Sequence, residues 1–514
     1  MRPTSLPAVA LAELERDFGL RRVRGLAIAG TPVSGVSIDG SAVVQGDLYV
    51  GLPGARHHGA SFAGQAVEAG AVAVLTDDDG MLLLERELGV PVLVGSRPLR
   101  PLVGGIAARV YETTALELPS FAVTGTNGKT STTHFLEALL AGMGLVPGVS
   151  STAERRIGST VIPSKLTTPE AAELHAIVAR MAELGARSLV IEVSAHALTR
   201  HRVDGFVFDV AAFTNLSHDH LDDYADMDEY LAAKIELFTA ARCRRAVVNL
   251  DTPAGRTVVE RSEVPVATIA TAAEPGATVD ADWVVDVTEE TLDHTAFVVR
   301  HREHGALAAR VPVVGRHMAA NGGLAVAMLV ESGRSLSDIA ATLGPDGLID
   351  ADLPARAVRI PVETGPAVFI DSGHSPDAFD KTLASLRRLT SGRLIAVIGA
   401  NGDRDTTKRG DMGAAAGFGS DIVVVTDHHP RGEDPAAIRA AVIAGVRAAR
   451  ADADVREVPD PAAAIRTAVS AADEGDVVVW MGLAGKDYRE LDGTTVPFSV
   501  PGETTAALHE AGWR

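Results

Sequence analysis

Cys243 is the single cysteine among 514 residues, so the chain has neither an internal disulfide nor a cysteine-built metal cluster. Such usage suits a reducing cytosol. Long apolar runs are also missing: no window approaches the ~18 consecutive apolar residues of a membrane-spanning helix. Glu13, Glu15 and Asp17 lie within an amphipathic N-terminal pattern, which is wrong for a cleavable secretory leader. Cations are in deficit, 47 Lys and Arg against 67 Asp and Glu, leaving a formal charge of −20. That balance argues against a nucleic-acid or anionic-membrane surface. It leaves room for a small anionic ligand, because phosphate sites use local amides and one or two cations. No internal repeat or low-complexity tract is visible, and the expectation is a cytoplasmic protein.

An apolar fraction of 46% with 22% charged residues supplies several buried cores, and the length suits about three domains at ~150 residues each. The first block, residues 1–117, holds short apolar strands at 36–38, 48–52, 71–75 and 92–94. The second, 118–350, places strands at 121–123, 189–193, 207–213 and 246–250 between helical patterns. The third, 351–514, repeats that alternation with strands at 367–370, 394–398, 422–426 and 477–480. Strands alternating with helices predict an α/β protein, and in the last two blocks largely buried parallel sheets.

Chemistry concentrates first at Thr124-Gly-Thr-Asn-Gly-Lys-Thr-Ser131, between an apolar strand and a helix carrying Phe135, Leu136, Leu139 and Leu140. Glycines let backbone amides wrap a phosphate, and the start of a helix adds positive potential. Lys129 is placed to reach β- and γ-phosphates, and the Thr130 hydroxyl to ligate magnesium. Val123 stands where the usual phosphate loop has its first glycine, leaving a compact loop built on Gly125 and Gly128. Downstream, Glu192 ends an apolar strand, where a carboxylate either meets a magnesium–phosphate complex or caps a following helix. His220, with Asp219 and Asp222, is either a metal ligand or a polar strand-end cluster. Lys234, in the helical pattern of residues 230–238, reads as a solvated lysine.

Together these motifs resemble the Mur ligases, the peptide-adding enzymes of peptidoglycan synthesis. The compact loop also occurs in folylpolyglutamate synthetases, but those lack a uridine-binding first domain. Glu192-Val-Ser-Ala-His-Ala-Leu198 with Arg202 is similar to the MurE-type run, in which Ser194 and Arg202 hold the UDP-linked substrate. Asn215-Leu-Ser-His-Asp-His-Leu-Asp222 is similar to the run whose histidine, His220 here, serves a second magnesium. Lys234 follows His220 by fourteen positions, matching the family lysine that is carbamylated by carbon dioxide. Val36-Ser-Ile-Asp39 and Gly46-Asp-Leu-Tyr-Val50 resemble the MurE-type uridine-binding domain, implying roles for Ser37 and Asp39. Thr167 and Thr168 match the run that touches the muramoyl peptide.

The resemblance therefore implies a small α/β UDP-binding domain (1–117), a central ATP-binding P-loop domain (118–350) and a C-terminal Rossmann-like amino-acid-binding domain (351–514). ATP would meet Gly125, Thr126, Asn127, Gly128, Lys129, Thr130, Ser131, Asn321, Arg356 and His374. Magnesium would be held by Thr130, Glu192, His220 and carbamylated Lys234, with Lys129, Lys234, His220 and Glu192 catalytic. The amino acid would meet Arg409, His429, Arg431, Gly482 and Lys486. The implied partners are UDP-MurNAc-L-Ala-D-Glu and a free amino acid, handled by a monomer through an acyl phosphate.

Departures cluster at the amino-acid pocket. His428-His-Pro-Arg431 keeps the arginine of Asp-Asn-Pro-Arg but puts His429 for the asparagine, and Lys486 stands where a family carboxylate meets a distal amino group. Two ammonium groups in contact repel by about 1 to 4 kcal/mol across the usual range of effective dielectrics. The expectation is a neutral or acidic amino acid, such as homoserine or glutamate, in place of the family's default diaminopimelate. The alternatives are an amide ligase of another pathway, or a nucleotide-binding protein of this fold without turnover.

Overall fold

The computed structural model describes residues 2–24, 30–84, 88–162, 166–219, 221–485 and 487–513. His220 and Lys486, both named above as site residues, lie outside them. Three main sheets succeed one another along the chain. The first orders its strands Arg21–Arg24, Val92–Val94, Ala73–Thr76, Asp47–Val50, Gly35–Ser37, parallel except for the antiparallel strand Arg21–Arg24. Its two faces are covered by separate apolar clusters, one including Leu48, Leu75 and Ile106, the other Tyr49, Val74 and Ala63.

The second sheet has eleven strands. Its parallel centre runs Pro147–Ser150, Ser188–Glu192, Ser120–Thr124, Phe208–Phe213, Cys243–Asn249, Val266–Thr271 and Trp283–Glu290. Successive strands fall first on one side of Ser120–Thr124 and then on the other. That reversal of order opens a crevice beyond the carboxyl ends of the central strands, where α/β sheets bind ligands. The phosphate loop follows Ser120–Thr124 and therefore sits in this crevice.

The parallel centre is the arrangement expected for this block. Antiparallel strands extend both ends, Arg155–Ile157 with Thr160–Ile162 at one and Thr295–His301 with Gly305–Val311 at the other. Along Thr295–His301 burial alternates, with Phe297 and Val299 packed in the core while their neighbours are only half-buried. Alternation of this kind marks a sheet with one covered face, unlike the continuous apolar runs of the parallel centre.

The third sheet orders Val358–Ile360, Ala367–Asp371, Val477–Met481, Leu394–Ile398, Ile422–Val425, Asp454–Glu457, parallel except at Val358–Ile360. Val477–Met481 is inserted between strands that precede it in sequence, giving this sheet its own reversal point. The α/β architecture read from the sequence is the one observed.

Packing between sheets is specific. Helix Ala171–Glu183 of the second block lies against helix Arg100–Val110 of the first, sharing the core of Ile106, Ala107, Ala172 and Ala176. His175 seals this joint: its Nε2 lies 2.9 Å from the Asp204 carbonyl oxygen and its Nδ1 2.6 Å from the Thr113 hydroxyl. The ring stacks on Phe206 at 4.0 Å. Burial holds the His175 imidazole down at about 4, although the Asp204 carbonyl favours its proton.

Stability at this joint consequently depends on pH. The unfolded imidazole takes a proton near pH ~6.5, whereas the folded one waits until about pH 4. In that window the unfolded state binds more protons, so stability falls as pH falls. Between pH 7 and 5 the opening free energy of helix Ala171–Glu183, followed by hydrogen exchange, should drop by roughly 2 kcal/mol from this group alone. His175→Phe should remove that component and be less stable at pH 7, because it strands Thr113 and the Asp204 carbonyl.

Candidate active site

Thr124-Gly-Thr-Asn-Gly-Lys-Thr-Ser131 turns from strand Ser120–Thr124 into helix Lys129–Gly142. Gly125 (φ 145°) and Gly128 (φ 87°) take left-handed conformations that favour glycine. A Cβ on Gly125 would fall 1.9 Å from Thr214 Oγ1, and one on Gly128 would fall 2.6 Å from Asn321 Oδ1. The loop is held from the neighbouring strand Phe208–Phe213 and its continuation. Asn215 Oδ1 accepts from the Asn127 amide at 3.0 Å, the Asn215 carbonyl accepts from the Thr126 amide at 2.9 Å, and Thr214 Oγ1 donates to the Asn127 carbonyl at 2.6 Å. Thr130 and Ser131 are buried in the first helical turn.

Lys129 folds back on the loop, its Nζ donating to the carbonyls of Gly125 at 3.0 Å and Thr126 at 2.9 Å. Surrounding protein lowers its pKa, while Glu192 and Asp219 act in the opposite sense. Glu192 ends strand Ser188–Glu192, in register with Val123 just before the loop. It is fully buried; Oε2 accepts from Thr152 Oγ1 at 2.7 Å, and Oε1 has no hydrogen-bond partner among the described residues.

Lys234 departs most from its sequence appearance. Asp226 caps helix Met227–Ile235 by accepting from the amides of Asp228 and Glu229, and Leu231 and Ile235 pack into the core below the sheet. This orientation carries Lys234 inward: it is 1% exposed, donates to the Gly125 carbonyl at 3.0 Å, and lies 4.0 Å from the centre of the Tyr230 ring. Burial drives its pKa well below the ordinary lysine value; Lys129 adds to the shift and Asp219 opposes it. A solvated lysine is thus excluded.

Several side chains from the third sheet reach this crevice. Arg356 donates to Thr130 Oγ1 at 2.8 Å, and Asn127 donates to Asp377 at 2.9 Å. Lys408 pairs with Asp219 at 2.7 Å. Asn321 comes from helix Arg316–Glu331 and abuts Gly128. Asp219, Asp222, His374, Asn401, Asp405 and Lys408 line a cleft between the two sheets.

Thr167, Thr168, Ser194 and Arg202 gather beside Glu192. Thr168 Oγ1 donates to the Glu192 carbonyl at 2.7 Å, Thr167 Oγ1 lies 3.0 Å from Thr152 Oγ1, and Arg202 Nη1 lies 3.3 Å from the Thr168 carbonyl. Ser194 caps the short helix Ala195–Thr199, and Arg202 meets Glu170 at 2.9 Å. Ser37 ends a strand of the first sheet and Asp39 follows it; Ser37 Oγ donates to the Asp39 carbonyl at 2.9 Å and Asp39 caps the turn at Ser41. His429 and Arg431 follow strand Ile422–Val425, Gly482 follows Val477–Met481, and Arg409 opens helix Arg409–Gly419. Arg409 makes two 2.9 Å contacts with Glu433, Arg431 Nε donates to Glu490 at 2.6 Å, His429 Nδ1 accepts from the Glu490 amide at 3.0 Å, and the Gly482 amide donates to Asp371. The acids Glu433 and Glu490 escaped the sequence reading of the site; loop acids carry no periodic signal that separates them from solvated ones.

Magnesium fits this donor set. Glu192 Oε1 is a buried hard oxygen in need of a partner, and Thr130 Oγ1 lies in the first turn of the helix that follows the phosphate loop. Among the described residues no three His, Cys, Asp or Glu side chains form a metal cage. Magnesium bound to phosphates needs none, since it keeps waters and takes only one or two carboxylates.

The sequence matches the Mur ligase family catalytic domain over residues 32–111, the Mur ligase middle domain over 123–329 and the Mur ligase glutamate ligase domain over 356–483. A UDP-N-acetylmuramyl-tripeptide synthetase of Leifsonia xyli subsp. xyli is 53% identical, covering 100% of this chain and 98% of that protein. A UDP-N-acetylmuramoyl-L-alanyl-D-glutamate–2,6-diaminopimelate ligase of Streptomyces coelicolor is 39% identical over 97% of this chain and 96% of its own length. A solved diaminopimelate ligase structure superposes with a TM-score of 0.66 at 26% identity, covering 98% of this chain and 99% of that one.

The loop geometry sets one expectation. Gly128→Ala places a methyl against Asn321 in a backbone conformation that alanine disfavours. Binding of a non-hydrolysable ATP analogue, measured by calorimetry, should weaken at least tenfold, by the ~1.4 kcal/mol or more that such strain supplies. Unchanged affinity would separate the loop from nucleotide binding.

Proposed function

The chain belongs to the Mur ligase family of ATP-dependent ligases, and we propose that it adds the third amino acid to UDP-MurNAc-L-Ala-D-Glu in peptidoglycan precursor synthesis. The observation that carries this reading is Lys234, a buried amine that donates to the Gly125 carbonyl of the phosphate loop. On this reading residues 1–117 bind the uridine nucleotide, 118–350 bind ATP and 351–514 bind the incoming amino acid. The reaction is cytoplasmic, where its UDP-linked and free amino-acid substrates are available, and the working unit is a monomer. Among the described residues no helix is long and apolar enough to cross a membrane.

Lys129 leaves the Gly125 and Thr126 carbonyls to meet the β- and γ-phosphates, with loop amides and the start of the following helix as further donors. Asn321, Arg356 and His374 complete the nucleotide site from the flanking elements. Thr167, Thr168, Ser194 and Arg202 orient the UDP-dipeptide, with Ser37 and Asp39 at its uridine end, so that the D-glutamate carboxylate faces the γ-phosphate. Thr130, Glu192, His220 and modified Lys234 would hold magnesium, which when bound would supply positive charge against the phosphates. Lys234 acquires its role through its lowered pKa: an uncharged amine adds carbon dioxide and releases one proton, giving a carbamate anion. Phosphoryl transfer makes the substrate carboxylate an acyl phosphate. The α-amine of the amino acid, delivered past Arg409, His429, Arg431, Gly482 and Lys486, then attacks its carbonyl carbon and phosphate departs. The contacts of Arg356, Asn127 and Lys408 across the crevice keep water from competing with that amine.

Phosphate release should require the UDP-dipeptide, ATP, magnesium and an amino acid together. Glu192→Gln should lower kcat by about two to three orders of magnitude, the usual loss when charge stabilisation of a transition state is removed. Phosphate release that ignores the UDP-dipeptide, or full activity in Glu192→Gln, would contradict the proposal.

A further inference from the structure

Arg431 is the arginine that the proposed function gives to the incoming amino acid, and it already has a carboxylate. Glu490, on strand Tyr488–Leu491, accepts from Arg431 Nε at 2.6 Å. Arg431 Nη1 donates to the Gly402 carbonyl at 2.9 Å. The pair is strapped in place by backbone contacts, with the Asp492 amide donating to the Arg431 carbonyl at 3.1 Å and the Glu490 amide donating to His429 Nδ1 at 3.0 Å. Arg409, the neighbouring guanidinium, is matched by two contacts to Glu433 at 2.9 Å. Two arginines therefore face two glutamates of the same chain, and Arg409 also donates to the carbonyl of Asn401, which lines the cleft.

A guanidinium takes a carboxylate best through two parallel N–H bonds, and the side edge of that fork begins at Nε. With Nε given to Glu490, a second carboxylate on the incoming molecule must expel Glu490 or sit beside it against like charge. We propose that Glu490 is a specificity-determining residue that holds Arg431 in an internal ion pair and restricts the ligase to amino acids with a single carboxylate. This narrows the expectation drawn from the sequence: a dicarboxylic amino acid such as glutamate finds no free guanidinium fork at Arg431. Diaminopimelate is disfavoured for the same reason, since its distal end carries a second carboxylate. The inference rests on the ligase reading above, and the assay separates the two.

Full-length enzyme, ATP, magnesium and UDP-MurNAc-L-Ala-D-Glu are assayed for phosphate release with lysine, ornithine, homoserine, alanine, glutamate and diaminopimelate. The best monocarboxylic substrate should exceed both dicarboxylic ones in kcat/KM by at least tenfold. In Glu490→Gln, which keeps the side-chain volume, the ratio for diaminopimelate over that substrate should rise at least tenfold, chiefly through a lower KM for diaminopimelate; Glu490→Ala should move it the same way. Preference of the natural enzyme for a dicarboxylic substrate, or an unchanged ratio in both variants, overturns the role of Glu490 while leaving the ligase reading intact. Absence of phosphate release with every amino acid overturns the ligase reading itself and this inference with it.

Discussion

An amine with no ion-pair partner among the described residues, held under a glycine loop, is the constraint on which the site depends. Lys234 is almost fully buried and donates to the Gly125 carbonyl, which also accepts from Lys129. Two ammonium ions converging on one carbonyl in a buried space would repel strongly, and removing either from water is costly. The neutral form of Lys234 relieves both penalties, in keeping with its strongly lowered pKa. It also leaves a nucleophilic nitrogen beside the place where a triphosphate and its cations would concentrate charge.

The rest of the architecture serves that crevice. Reversal of strand order around Ser120–Thr124 opens it, and Glu192 reaches its rim from the adjacent strand. The third sheet closes over it through Arg356 on Thr130, Asp377 on Asn127 and Lys408 on Asp219. Each contact joins the phosphate side to the side assigned to the amino acid. Arg356 is flanked by Ala355 and Ala357, both in left-handed backbone conformations with φ of 53° and 51°. For alanine each costs about 1 kcal/mol. The connection between the two sheets is therefore strained beside the arginine that touches the phosphate loop.

The phosphate loop and the parallel strands were legible because glycine spacing and continuous apolar runs encode them locally. The antiparallel extensions at 155–162 and 295–311 were not, since short alternating stretches give a weak signal beside the longer apolar runs. Lys234 shows the limit most clearly: helical spacing places it among Leu231 and Phe238, yet its residue type suggests solvent. Only packing under the loop reveals the buried amine. Ala355 illustrates a different loss, because only its observed φ of 53° shows that the position favours glycine. Glu433 and Glu490 could not be singled out from other loop acids before the third sheet brought them to Arg409 and Arg431.

The central claim, an uncharged amine at position 234 that takes up carbon dioxide, can be read directly by carbon-13 NMR of the protein in carbon-13-labelled bicarbonate. The account predicts a slowly exchanging carbamate resonance that disappears in Lys234→Met and survives in Lys408→Met. A turning-over enzyme without that resonance, or a signal that persists after Lys234 is replaced, would contradict it.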